Sequence, residues 1–353
     1  IDGQIARMFP DYRKLEPTAY VLWFDEIGRE HALSVGSKNA QLGEMRSRLG
    51  MTVPNGFAVT AWAYKRFFDA NGLSDRIRSL VQNADVCSFA SLVEVSEKVR
   101  AMVMEARVPA DLSEAIVQAF QRLVAGSSGK RVAVRSSGLE EDSLFSYAGQ
   151  YATLLNVGAS EAVSAYRQVV ASKYTPQAIY HYLSHALGEA ELAMSVGYVQ
   201  MVDARASGVV YTRDPVYPDT DSLWIHAVLG LGAYLVDGTL TPDAFNYSRS
   251  DLVEQERQIV EKKVRLVLDS SGGTVQERVP DEEQTRPSVS EKELRELAQL
   301  GLRLEEHYGV PQDIEWAIDA QGSLQLLQTR PLQLVKRSTT PRTFEEDGKD
   351  VLV

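Results

Sequence analysis

The residues with the most chemical content lie near the end of the 353-residue chain, between Asp313 and Arg330. The run Asp313-Ile-Glu-Trp-Ala-Ile-Asp-Ala-Gln-Gly-Ser-Leu-Gln-Leu-Leu-Gln-Thr-Arg330 alternates as two strands joined at Gln321-Gly322. With that pair as the turn centre, Glu315 falls opposite Gln328 and Asp313 opposite Arg330. Glu315, Gln328 and Arg330 then share one face, and Ile314, Trp316 and Ile318 take the other. A carboxylate and an amide oxygen are hard donors of the kind Mg²⁺ takes, with water and phosphate oxygens completing its octahedron. A guanidinium beside them can clamp a phosphate bidentately. The same face also suits an ordinary solvated cross-strand pair.

Two cations from the first half of the chain can complete such a site. Lys38, in Gly36-Ser-Lys-Asn39, stands at the start of a helical pattern, where free amides and the helix dipole favour an anion. On its own, a solvated first-turn lysine explains it better. Arg135 interrupts a strand otherwise written for burial, so it needs a carboxylate or a ligand phosphate as counter-charge. The loop that follows is short of bulk at Ser146, Ala148 and Gly149, and its backbone amides can fold over phosphates.

The elements that must position these groups are read from periodicity. A helix runs from Ser37, as N-cap, to a stop at Gly50. GFAVT (56–60) is a strand whose Thr60 caps the helix AWAYKRFFDANG. Helices follow over 88–106 and 110–125, then a strand at 131–137, a strand ATLLNV, and helices at 160–172 and 176–187. Beyond 194 strands dominate: SVGYVQMV, GVVYT, SLWIHAVLG, DAFNYS and a charged pair between 252 and 279. A helix opened by a Ser290/Glu293 capping box interrupts them. This predicts an α+β chain: a lead-in over 1–17, a helix-rich lobe over 18–193, a strand-rich lobe over 194–335 and a linker over 336–353.

Composition excludes several function classes. Hydrophobic residues make up 44% and charged residues 24%, which rules out a collagen-like or largely disordered chain. Asp and Glu number 48 against 37 Lys and Arg, and a net charge of −11 repels nucleic acid unless cations are gathered locally. The lone Cys87 allows no intrachain disulfide, which fits a reducing, cytoplasmic setting. No apolar run is long enough for a membrane span. A chain that begins with Ile1 is expected to be an excised piece of something longer. Common nucleotide signatures fail: Gly126 to Lys130 is too compressed for a P-loop, and Gly230-Leu-Gly232 lacks the third glycine of a dinucleotide fingerprint.

Five ordered blocks resemble the nucleotide-binding region of the phosphoenolpyruvate synthase and pyruvate phosphate dikinase family over about residues 30–335. They are VGSKNAQLGEM with VPNGFAVTAWAY, VAVRSSGLEEDSLFSYAGQYATLLNV, YVQMVDARASGVVYTRDP, GLGAYLVDGTLTPDAF and DIEWAIDAQGSLQLLQTRP. The resemblance implies an ATP-grasp fold with ATP and Mg²⁺ between two lobes. Lys38 and Arg135 take the place of phosphate-contacting cations, Glu315 and Gln328 of Mg²⁺ ligands, and Arg330 of a second phosphate arginine. Gln200, Met201 and Val202 fall on the hinge that reads adenine, and Gly149 and Gln150 on the phosphate cover. Family members phosphorylate a histidine on a separate swivelling domain, so phosphohistidine and acceptor-binding domains are implied partners. Ser184-His185-Ala186 lies in a helical run without preceding glycines and does not match that histidine. Departures from the pattern are Ser37 for a glycine, Ala233 for an acid and Tyr182 for an arginine. Other readings left open are a non-catalytic nucleotide-sensing module and a related dikinase acting on an antibiotic or a glucan.

Overall fold

The computed structural model describes residues 15–125, 131–139, 152–185 and 193–334. Its architecture is α+β, and two antiparallel sheets carry it. The first has the order β1-β2-β5-β3-β4, from β1 (Val21–Trp23), β2 (Gly56–Val59), β3 (Val132–Gly138), β4 (Thr153–Val157) and β5 (Met194–Gln200). Alternation splits its side chains cleanly. Phe57, Val59, Val132, Val134, Val196 and Tyr198 face a core shared with helices α2 (Ala61–Asn71), α4 (Phe89–Glu105), α5 (Ala110–Val124) and α6 (Ala162–Ser172). Arg135, paired with Gly197 of β5, is on the opposite face.

The second sheet has the order β13-β12-β6-β7-β8-β9. Its strands are β6 (Ala204–Tyr211), β7 (Ser222–Leu229), β8 (Asp243–Ser248), β9 (Glu254–Gln258), β12 (Gln312–Asp319) and β13 (Leu324–Pro331). Val210, Ile225, Phe245, Ile314, Trp316 and Ile318 of one face pack on the helix Glu291–Tyr308 through Leu294, Leu297, Ala298 and Leu304. That helix starts at the expected Ser290/Glu293 capping box and ends at left-handed Gly309. Trp316 is fully buried over Gly208, where a Cβ would collide with the indole. The same core takes Val35, Leu42 and Met45 from α1 (Ala32–Gly43) and its π-helical continuation Glu44–Arg48. One helix is thereby wedged between both sheets.

Several expectations are corrected. Met194–Gln200, expected to open the second lobe, pairs between β2 and β3 in the first sheet, so the crossing to the second sheet falls at 201–203 instead of 193/194. The charged pair expected between 252 and 279 is three strands. The first, β9, extends the large sheet, and β10 (Val264–Leu268) and β11 (Thr274–Arg278) form their own ribbon. Strand β1, the helix Leu73–Gln82 and the short helix Ala233–Val236 were not foreseen. Among the described residues no helix is long and apolar enough to cross a membrane.

Candidate functional site

The terminal hairpin has the expected register where it matters: Asp313 pairs with Arg330 and Glu315 with Gln328. The turn is built differently. Gly322 takes a left-handed φ of 82° and its N–H donates to Asp319 at 3.0 Å, and pairing nearest the turn is shifted by one residue. A bulge at Leu327, across from the Glu315–Trp316 step, restores the register beyond it. The bulge has a use: the Leu327 carbonyl accepts a hydrogen bond from Arg135 Nη2 at 3.2 Å. Arg135 Nη1 also reaches the Gln328 amide oxygen at 3.5 Å. The first sheet therefore touches the hairpin through the arginine that the sequence singled out.

Lys38 is placed by a helix start of unusual construction. Gly36, at φ 74° and ψ 162°, breaks the α1 segment, so a fresh helical start follows at Ser37. A Cβ at Gly36 would collide with the Ser137 carbonyl. Ser37 does not cap with its side chain, since its Oγ is buried without a hydrogen-bond partner among the described residues. The hydroxyl that accepts an N–H of the first turn comes from the neighbouring strand instead: Ser137 Oγ takes Asn39 N–H at 3.2 Å. Asn39 is fully buried and also donates to Ser195 Oγ at 3.2 Å and to the Val35 carbonyl at 2.9 Å. Gly197 leaves the space Asn39 occupies. Lys38, one residue earlier, is thus held over the same sheet face as Arg135.

Electrostatics show these groups in one field. Burial pushes the Glu315 carboxyl above the usual carboxylate range; Arg135, Arg330 and Lys38 oppose that rise, and Asp313 adds to it. Arg330 holds Asp313 through Nε at 2.9 Å and Nη2 at 2.8 Å, both to one carboxylate oxygen. Among the described residues, the other donors of this guanidinium make no further hydrogen bond. Among the described residues no three His, Cys, Asp or Glu side chains cluster as a self-sufficient metal cage. Glu315 and Gln328 instead offer two hard oxygens amid cations, a donor set that fits Mg²⁺ only if phosphate and water supply the rest.

Beyond these charged groups the same sheet face becomes apolar. Val202, Ala204, Leu231, Leu266 and Ala317 form a small buried cluster with Met201, Leu268 and Leu327 packed on it. Ala317 shares its strand face with Glu315 and Asp313, so this face of β12 runs from apolar to charged over about 13 Å at the usual strand rise. At the crossing between sheets, Gln200 N–H is spent on the Asn55 carbonyl at 2.8 Å and Met201 N–H on the Arg131 carbonyl at 2.9 Å. Of the expected hinge Gln200, Met201 and Val202, the first two amides are thus engaged within the protein. Asn156 N–H donates to Met201 Sδ at 2.9 Å, and its Nδ2 holds the ribbon tip at the Asp269 and Gly273 carbonyls, 2.7 and 2.6 Å away.

Lys38, Arg135, Glu315, Gln328 and Arg330 are thus brought together, and Met201 and Val202 line the apolar end. Gly149 and Gln150 lie outside the described residues, as does the side chain of Tyr182. Ala233 joins the apolar cluster. Sequence reasoning missed the roles of the Leu327 carbonyl and of Asn39, Ser137 and Ser195. A polar trio at positions otherwise written for burial was the available signal.

Residues 32–350 match the family described as pyruvate phosphate dikinase, AMP/ATP-binding domain. The chain is 35% identical over 332 residues to a probable phosphoenolpyruvate synthase of Methanocaldococcus jannaschii, covering 93% of this chain and 28% of that one. It is 37% identical over 344 residues to the phosphoenolpyruvate synthase of Aeropyrum pernix (88% and 42%). To that of Escherichia coli K12 it is 35% identical over 348 residues (93% and 44%). The chain spans less than half the length of each of these relatives. With its two sheets meeting at clustered cations and carboxylates, the chain belongs to the pyruvate phosphate dikinase AMP/ATP-binding domain family.

Proposed function

We propose that this chain binds ATP·Mg²⁺ in an ATP-grasp cleft and serves as the nucleotide-binding part of a phosphoenolpyruvate synthase- or pyruvate phosphate dikinase-like phosphotransferase. The observation that carries the reading is the meeting of Arg135 with the bulged hairpin at Leu327 and Gln328, beside Glu315 and the Arg330–Asp313 pair. The base lies in the apolar end between Met201, Val202, Leu231, Leu266 and Ala317. Lys38, Arg135 and Arg330 neutralise phosphate charge, and Glu315 with Gln328 holds Mg²⁺ against it. Phosphoryl transfer asks little more of a protein than such positioning and charge stabilisation. The acceptor is a histidine on a separate domain, reached from the charged end. The region 18–200 then acts as one lobe and 204–334 as the other.

Calorimetric titration with ATP and Mg²⁺ tests the first step. The chain binds ATP·Mg²⁺, and Arg135→Ala weakens binding at least ten-fold, the scale of one lost charge-assisted hydrogen bond. Absence of binding, or an Arg135→Ala variant that binds as the parent does, refutes the reading. Ala233, packed among apolar side chains, gives some support to a second reading, a nucleotide sensor without phosphotransfer. The two part when the histidine-bearing domain of a synthase relative is supplied with ATP. Phosphohistidine formation supports the enzyme, and tight binding without it supports the sensor.

A further inference from the structure

The cleft face of the second sheet is laid out in rows across the strands. The row at the charged end runs Arg330–Asp313–Tyr211–Trp224, and the next toward the base runs Gln328–Glu315–Val209–His226. Tyr211 is therefore the neighbour of Asp313 on the side away from Arg330, at the end of the cleft remote from Ala317. Its ring is fixed from behind. His226 meets it edge-on at 5.5 Å and 84°, and Trp224 abuts His226 at 6.2 Å. The Trp224 indole N–H is itself anchored on Asp214 at 3.1 Å. Among the described residues, the Tyr211 hydroxyl has no hydrogen-bond partner.

We propose that Tyr211 is a further substrate-contacting residue, whose hydroxyl donates a hydrogen bond to the terminal phosphoryl group of the bound nucleoside triphosphate. This rests on the ATP reading above and adds a contact which that reading does not contain. Tyr211 and Arg330 rise from strands about 10 Å apart, with Asp313 between them, and each side chain lies in the other's electrostatic field. Asp313 also holds Arg330 in place, so the row presents an arginine on one side and a phenol on the other. The phenol is suited to the task because it stays a donor. Burial and the neighbouring carboxylates Asp313 and Glu315 raise its ionisation above the ordinary value, against the pull of Arg330.

The test is calorimetric titration of the chain with AMP, ADP and ATP, each with Mg²⁺, for the parent, Tyr211→Phe, Tyr211→Leu and Glu315→Gln. Tyr211→Phe keeps the ring and its packing on His226 and loses only the hydroxyl. Its ATP affinity is expected to fall about ten- to a hundred-fold, the scale of a hydrogen bond to a charged group, with AMP and ADP binding unchanged. ATP affinity unchanged in Tyr211→Phe, or ADP weakened by the same factor, overturns the inference. So does a loss confined to Tyr211→Leu, which would mark the ring as packing only. A parent chain that binds no nucleotide, or a Glu315→Gln variant that binds ATP·Mg²⁺ undiminished, brings down the ATP reading itself. A parent that binds ATP while Tyr211→Phe binds it equally well brings down only the Tyr211 contact.

Discussion

Replacing Glu315 with glutamine should strengthen the fold and cripple the site. Burial raises the Glu315 carboxyl above the usual carboxylate range even though Arg135, Arg330 and Lys38 stand near it. A raised carboxylate means the folded chain holds a proton more tightly than the unfolded chain does. Stability therefore falls as pH rises above the ordinary value of 4.5 and through the raised pKa of the folded chain. Glutamine has nearly the same shape and no charge to desolvate. Substitutions that relieve functional sites in this way gain about 0.5–2 kcal/mol, which for a chain of this size is a rise in Tm of roughly 1–6 °C. The same change removes the only anionic oxygen of the proposed Glu315–Gln328 pair, and loss of a buried charged partner weakens binding by about 2–5 kcal/mol, or thirty- to several thousand-fold. Thermal unfolding of parent and Glu315→Gln between pH 4 and pH 8, with ATP·Mg²⁺ titration at pH 7, measures both. The stability difference should shrink toward acid pH as Glu315 protonates. A variant less stable than the parent at pH 7, by an amount independent of pH, would show that the cations outweigh desolvation and refute the reasoning.

Two further substitutions probe the scaffold. Asp243, completely buried, pairs with Lys262 at 2.8 Å and accepts Val260 N–H at 3.0 Å and Ser288 N–H and Oγ at 2.8 and 2.7 Å. Asp243→Ala strands the buried lysine and should cost about 3–5 kcal/mol, read from urea unfolding, whereas a loss below 1 kcal/mol would mean that water reaches the site. Gly36→Ala forces a side chain into the Ser137 carbonyl at a positive φ, so it should destabilise by about 1–3 kcal/mol and weaken ATP binding by displacing Lys38. Unchanged nucleotide affinity in a destabilised Gly36→Ala would detach the helix start from the site.

The hairpin was legible because its pattern is local. Two alternating runs around Gln321-Gly322 set the faces of Glu315, Gln328 and Arg330 with no knowledge of the remaining fold. The bulge at Leu327 was not legible, since Leu326 and Leu327 look alike in sequence and only the approach of Arg135 distinguishes the carbonyl that is turned outward. Pairing between distant segments was equally hidden. Met194–Gln200 reads as a strand, but nothing in its own residues says that it enters the first sheet between β2 and β3. The helix Leu73–Gln82 has only Leu73 and Ile77 buried, and it begins at a glycine that also ends the helix before it. Ser37 shows the opposite failure. Its type and place spell an N-cap, but the accepting hydroxyl comes from Ser137, ninety-eight positions from Asn39. Local chemistry proposed the right helix start and the wrong partner.

Charge explains why those distant segments have to meet. A chain of net charge −11 repels a triphosphate unless cations are concentrated at one point. Among the described residues, Lys38, Arg135 and Arg330 stand in one field with Asp313 and Glu315. Three cations side by side on one strand or helix repel one another, whereas three separate elements bring one each, with carboxylates interleaved. The cost is a carboxylate held at a raised pKa, while Arg135 reaches across to a bulged carbonyl. On the proposed reading, a divalent cation that meets Glu315 relieves that carboxylate. A buried carboxylate that a divalent cation would relieve, set among cations drawn from three separate elements, is what the proposed ATP·Mg²⁺ site requires.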